Sequence, residues 1–171
     1  MNFDQRLSSG QAGQQDLVAN LRKMGFRVML TGQEMWLDEV VHQALRLNHT
    51  DQMMRAVRYR PDLLAYHPGF PLAYWEVKTN TTPGTANFAV EKACYAEMVA
   101  RKAKGERIVF AFQDVDRTWY AQWVEKLIVA RDMSAIRKQA RGSHTPYLLI
   151  PKSCVLPLSG FLKTFGTSST T

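Results

Sequence analysis

The feature that most constrains this chain is a break in its hydrophobic pattern. Leu72-Ala73-Tyr74-Trp75 is an apolar, aromatic run suited to a buried strand, and it passes directly into Glu76-Val77-Lys78. Upstream, Arg60-Pro61-Asp62 opens a second apolar run, Leu63-Leu64-Ala65-Tyr66. Charged groups set in such segments need each other or a ligand, because burying an unpaired charge is costly. His67-Pro68-Gly69-Phe70-Pro71 between the runs is a turn sequence, so the two segments read as a hairpin. Asp62 and Glu76 are 14 positions apart, a comfortable hairpin separation. Alternate residues of a strand share a face, so Glu76 and Lys78 project together while Val77 turns to the core. Asp62 then comes close to Glu76.

Two carboxylates and an ammonium in one small site have a clear use. Hard oxygen ligands suit Mg²⁺, with Mn²⁺ as a substitute. Such an ion polarises a phosphodiester and acidifies water, while a lysine can orient or deprotonate that water or offset charge on phosphorus. Glu-x-Lys alone is a weak signal, since surface Glu–Lys pairs are common and contribute little. The apolar setting is what raises it above that background.

The rest of the chain frames this hairpin. Gln11 to Met24 has helical spacing, with Leu17, Val18, Leu21 and Met24 on one face and Gly25 as its stop. Phe26 to Leu30 reads as a strand and Glu34 to Leu47 as a second helix. Asn87 to Lys104 reads as one long helix, and Arg107 to Phe112 as a buried strand. Trp119 to Ala130 suits a strand or a helix. Met133 to Arg141 reads as a basic helix, Tyr147 to Ile150 as a strand, and Leu158 to Phe165 as a short closing helix. The order predicts a single α/β domain over 1–171 around a mixed sheet. Its core runs over about 11–112, with an extension over 113–165 and a low-complexity tail at 166–171.

Pro61-Asp62 followed by Glu76-Val77-Lys78 resembles the PD-(D/E)xK nuclease superfamily. The likeness covers Gln11 to Phe112, where the order of helix, three strands, helix, strand matches that superfamily's core. Within it the chain is most similar to archaeal-type Holliday-junction resolvases and related phage nucleases. These carry a glycine, a Glu-bearing helix and a Gly-Phe before the first strand. Here the segment runs from Gly10 through Gln14 and Asp16 to Met24-Gly25-Phe26, and 34–55 is an insertion. One position departs: Gln14 stands where a metal-supporting Glu is usual, and an amide brings no charge. The resemblance implies a restriction-endonuclease-like fold and a Mg²⁺-dependent DNA endonuclease. Asp62, Glu76, Lys78 and Gln14 would be catalytic, and Asp62, Glu76 and Val77 would hold metal. Branched DNA such as a Holliday junction is the implied substrate, and two symmetric cuts imply a homodimer. Other nucleases of this fold, or a nucleic-acid-binding module with a decayed site, are the alternatives.

The charge agrees with a polyanionic partner. The chain has 171 residues, a formal net charge of +7 and a sequence pI of about 9.6. Arg58, Arg60 and Thr79 flank the motif and are candidate DNA contacts, with solvated strand ends as the plain alternative. Arg131, Arg137, Lys138 and Arg141 form a denser basic run, the best candidate for gripping duplex outside the core. Lys92, Arg101, Lys102 and Lys104 read mostly as a solvated helix face. His42, His49, His67 and His144 lack zinc spacing, and no glycine-rich phosphate loop suggests nucleotide use. Trp75, Trp119, Tyr120 and Trp123 read as core before base-stacking groups. Cys94 and Cys154 read as reduced, packed thiols. No leader or membrane-spanning run is seen, so an intracellular protein is expected.

Overall fold

The computed structural model describes residues 3–32, 56–80, 82–132 and 146–165. The insertion at 34–55, Arg137, Lys138 and Arg141 of the basic run, and the tail lie outside these residues. Helix α1 spans Phe3–Lys23 and buries Leu17, Val18 and Leu21 at helical spacing. It starts earlier than the apolar periodicity, which begins only at Gln11. Gly25, at φ 84°, turns the chain into strand β1 (Arg27–Leu30).

Strands β2 (Leu63–His67) and β3 (Phe70–Thr79) form the expected hairpin, closed by Pro68-Gly69. Leu63 faces Trp75 and Ala65 faces Ala73, with a bulge between Ala65 and His67. Extending that register by one residue sets Asp62 opposite Glu76. Strand β5 (Ile108–Gln113) lies parallel to β3, with Glu76 beside Phe110 and Lys78 beside Phe112. Strand β6 (Trp119–Trp123) follows antiparallel. The main sheet has the order β1-β2-β3-β5-β6-β9, with β9 at Leu156–Pro157.

The expected long helix from Asn87 is corrected. Asn87–Glu91 is strand β4, and only Lys92–Ala103 is helical, as α2. Phe88 and Val90 alternate inward from β4 and pair with Ile150 and Leu148 of strand β8 (Tyr147–Pro151). With strand β7 (Arg131–Asp132) these form a second, three-stranded sheet in the order β4-β8-β7 that the sequence did not reveal. The ambiguous stretch from Trp119 resolves as β6 followed by a 3₁₀ turn at Val124–Lys126.

Two apolar layers flank the main sheet. On one face α1 and the closing helix α3 (Leu158–Lys163) pack on Ala73, Trp75, Val77 and Trp123. On the other, α2 and β4 pack on Ile108, Phe110 and Phe112 through Phe88, Val90, Cys94 and Met98. Trp75, Trp119 and Trp123 are buried, as core aromatics should be. No helix among the described residues is long and apolar enough to cross a membrane.

Candidate active site

Alternation along β3 divides its side chains between the two layers. Trp75 and Val77 enter the α1 layer, and Glu76 points the other way, toward α2. Glu76 is only 5% exposed. Its Oε1 accepts hydrogen bonds from Lys78 Nζ at 2.5 Å and from the Cys94 thiol at 3.1 Å. Both partners sit on one oxygen.

Asp62, half-buried where β2 begins, is gripped from two elements. Gln14 Nε2 on α1 donates to Oδ1 at 2.7 Å, and the Val77 backbone N–H donates to Oδ2 at 2.7 Å. On an extended strand the N–H and C=O of one residue face the same edge. The Val77 carbonyl therefore faces the edge on which Asp62 lies. The approach to Asp62 is held by Thr31, a buried residue that the sequence marks only as the stop after β1. Its hydroxyl donates to Pro61 O at 2.6 Å, and its N–H donates to Asp62 O at 2.8 Å. Asp16 turns away, as expected two residues along a helix, and accepts from Gln113 and Trp119.

The electrostatics follow from this packing. Burial disfavours the Lys78 charge, but the Cys94, Glu76 and Asp62 groups around it outweigh that and hold its pKa well above the usual lysine value. Burial, then the Glu76 charge, pushes the Cys94 thiol well up, so it stays protonated and donates. A lone cysteine in a helix has no motif. Its spacing from Met98, four residues on in α2, places it on the buried face that meets the strand bearing Glu76.

The flanking candidates divide. Arg60 is exposed next to Asp62, and Thr79 ends β3 with its methyl against Gly13 of α1. Arg58 lies 3.9 Å from Glu91 and over the Tyr59 ring. Glu91 also accepts from the Tyr59 hydroxyl, at 2.5 Å. Arg101, read as part of a solvated face, instead pairs with Glu97 and Glu106 and donates to Ala56 O at 3.1 Å. It fastens the chain before Asp62 to α2.

No family model matches the chain, and no curated protein matches it. Among solved structures it is similar to Hjc, a Holliday junction resolvase from Archaeoglobus fulgidus. That likeness has a TM-score of 0.54 at 16% identity and covers 91% of this chain and 96% of that one. The chain has the restriction-endonuclease-like fold. D212, a nuclease from a fusselovirus, is also similar, with a TM-score of 0.46 at 12% identity over 92% of this chain and 88% of that one. In the restriction-endonuclease-like fold of this chain, Asp62, Glu76, Lys78 and Gln14 converge on the end of the central hairpin. Among the described residues no three His, Cys, Asp or Glu side chains cluster as a cage. Two carboxylates and a carbonyl suit Mg²⁺, which keeps several waters and shares its remaining positions with substrate phosphate.

Proposed function

We propose that this protein is a divalent-metal-dependent DNA endonuclease acting on branched DNA such as four-way junctions, as a homodimer. The observation that carries the reading is the placing of Asp62 and Glu76 opposite one another, with Lys78 bonded to Glu76, in a restriction-endonuclease-like fold. The likeness to a Holliday junction resolvase over 91% of the chain favours the junction among DNA substrates.

Asp62, Glu76 and the Val77 carbonyl would hold Mg²⁺ or Mn²⁺, which when bound supplies Lewis-acid polarisation of the phosphodiester. The chain's own groups do the rest. Lys78 carries an ammonium, which orients the attacking water by hydrogen bonding and offsets charge building on the phosphoryl oxygens. Water oxygen bonds to phosphorus and gives a proton to solvent, a phosphorus–oxygen ester bond breaks, and the leaving oxygen takes a proton from solvent. Gln14 keeps Asp62 in place through its amide and adds no charge.

Cleavage of a labelled four-way junction beside matched linear duplex, with Mg²⁺, Mn²⁺ or EDTA, tests this for wild type and Asp62→Ala. Paired symmetric nicks in the junction, lost at least 100-fold in the variant, are expected. Cutting of the linear DNA would keep the nuclease and discard the junction. Binding without cutting under either ion would favour a module whose site decayed when Gln14 took the place of an acid.

A further inference from the structure

One residue beyond Lys78, the end of β3 borders a polar cavity of about 280 Å³. Its walls include Gly13 and Asp16 of α1, Thr79, Gln113 and Asp114, with the exposed Arg117 from the β5–β6 turn. The cavity shares two elements with the candidate active site, since Thr79 follows Lys78 and Gly13 precedes Gln14. A Cβ at Gly13 would lie 2.3 Å from Thr79 Cγ2, so only glycine lets α1 come this close to the strand end.

The charges in this cavity leave one group without a counterpart. Asp16 Oδ2 accepts from Gln113 Nε2 and Trp119 Nε1, both at 2.8 Å. Asp114 takes the Lys152 ammonium, the Asn80 amide at 3.1 Å and the Val115 N–H at 2.8 Å. Among the described residues, no acid forms an ion pair with Arg117.

The backbone under Arg117 is unusual as well. Its φ is 67°, and among the described residues it is the one non-glycine with positive φ. The turn is held by Arg117 N–H to Asp114 O and Asp114 N–H to Thr118 O, both at 2.9 Å. Glycine or asparagine serves such a position with less strain, so the turn itself gives no reason for arginine.

We propose that Arg117 anchors a backbone phosphate of the DNA strand beside the Asp62–Glu76–Lys78 site, and that the adjoining cavity seats the nucleoside attached to it. This rests on the nuclease reading above and gives it a strand path. The guanidinium fork matches phosphate oxygens, which lack the compensation already given to Asp16 and Asp114. The volume is small for a whole ligand site, which typically spans ~300–1,000 Å³. It suits one nucleotide unit whose neighbours run on in the groove.

The test measures binding of the full chain to fluorescein-labelled linear duplex and four-way junction by anisotropy in EDTA, across a salt series, for wild type, Arg117→Gly, Arg117→Ala and Arg117→Lys. Arg117→Gly relieves the backbone, so its Tm is expected to equal or exceed wild type while its affinity falls about fivefold or more. The slope of log affinity against log salt should shrink by roughly one, with Arg117→Lys close to wild type. Loss of binding in a variant at least as stable as wild type cannot come from misfolding. Unchanged affinity and slope in Arg117→Gly, with wild type binding normally, overturns the Arg117 subsite alone. Wild type that binds neither DNA overturns the nuclease reading and this inference together.

Discussion

Glu76 has two carboxylate oxygens, and its described side-chain partners both lie on Oε1. Lys78 supplies charge, and Cys94 supplies a directional S–H from a residue only 2% exposed. Together they fix the rotamer through one oxygen, and among the described residues no side chain hydrogen-bonds Oε2. Replacing Cys94 by alanine should therefore loosen the carboxylate without unfolding the chain. A drop of roughly fivefold in single-turnover cleavage is expected, about 1 kcal/mol for one hydrogen bond, with weaker Mn²⁺ binding by calorimetry. Cys94→Ser, which keeps a donor, should recover most of both. Equal losses for alanine and serine would mean that Cys94 matters only as packing. The charged members of this site were legible because they interrupt apolar strands. Cys94 and Thr31 were not, since each acts through a contact to a distant strand that leaves no local pattern.

Elements were read well where their partners are close in sequence. The β2–β3 hairpin carries its turn between its strands, and β5 is an unbroken apolar run. Strand β4 was missed because five alternating residues run straight into a helix-forming segment, and its partner β8 starts more than fifty residues later. Tertiary pairing overrode the local pattern. A tie between the β5–β6 turn and the end of β8 offers a pH test at this scale. Burial raises the Asp114 pKa, but the hydrogen bonds from Lys152 and Val115 and the Lys152 charge outweigh it, leaving the carboxyl below its ordinary value. A group lowered on folding contributes stability above its unfolded pKa, and that stability is lost as pH falls through the folded value. Asp114→Asn should thus cost about 1–2 kcal/mol in urea unfolding at neutral pH, since both side chains are at least three-quarters buried. The gap to wild type should close as pH falls below the ordinary aspartate range. A constant gap across that range would show that the amide disturbs packing rather than charge.

Across the whole molecule, α1 and α3 pack on the same face of the main sheet. Phe161 and Phe165 close over Phe70, Trp75 and Trp123, with Phe70 stacked on Trp123 at 5.6 Å. Ending the chain at residue 157 removes α3 and uncovers Trp75 and Trp123. That chain should lose cooperative thermal unfolding and show red-shifted tryptophan emission, whereas ending it at 165 should leave both unchanged. The pairing of β4 with β8 has a further consequence, in the order of synthesis. The hairpin with Asp62 and Glu76 is complete once residue 79 has left the ribosome, but β4, which leads into the helix bearing Cys94, gains its partner only with residues 147–151. A nascent chain thus presents its acidic residues long before their support is in place, and the cleft matures only once residues 147–151 have emerged.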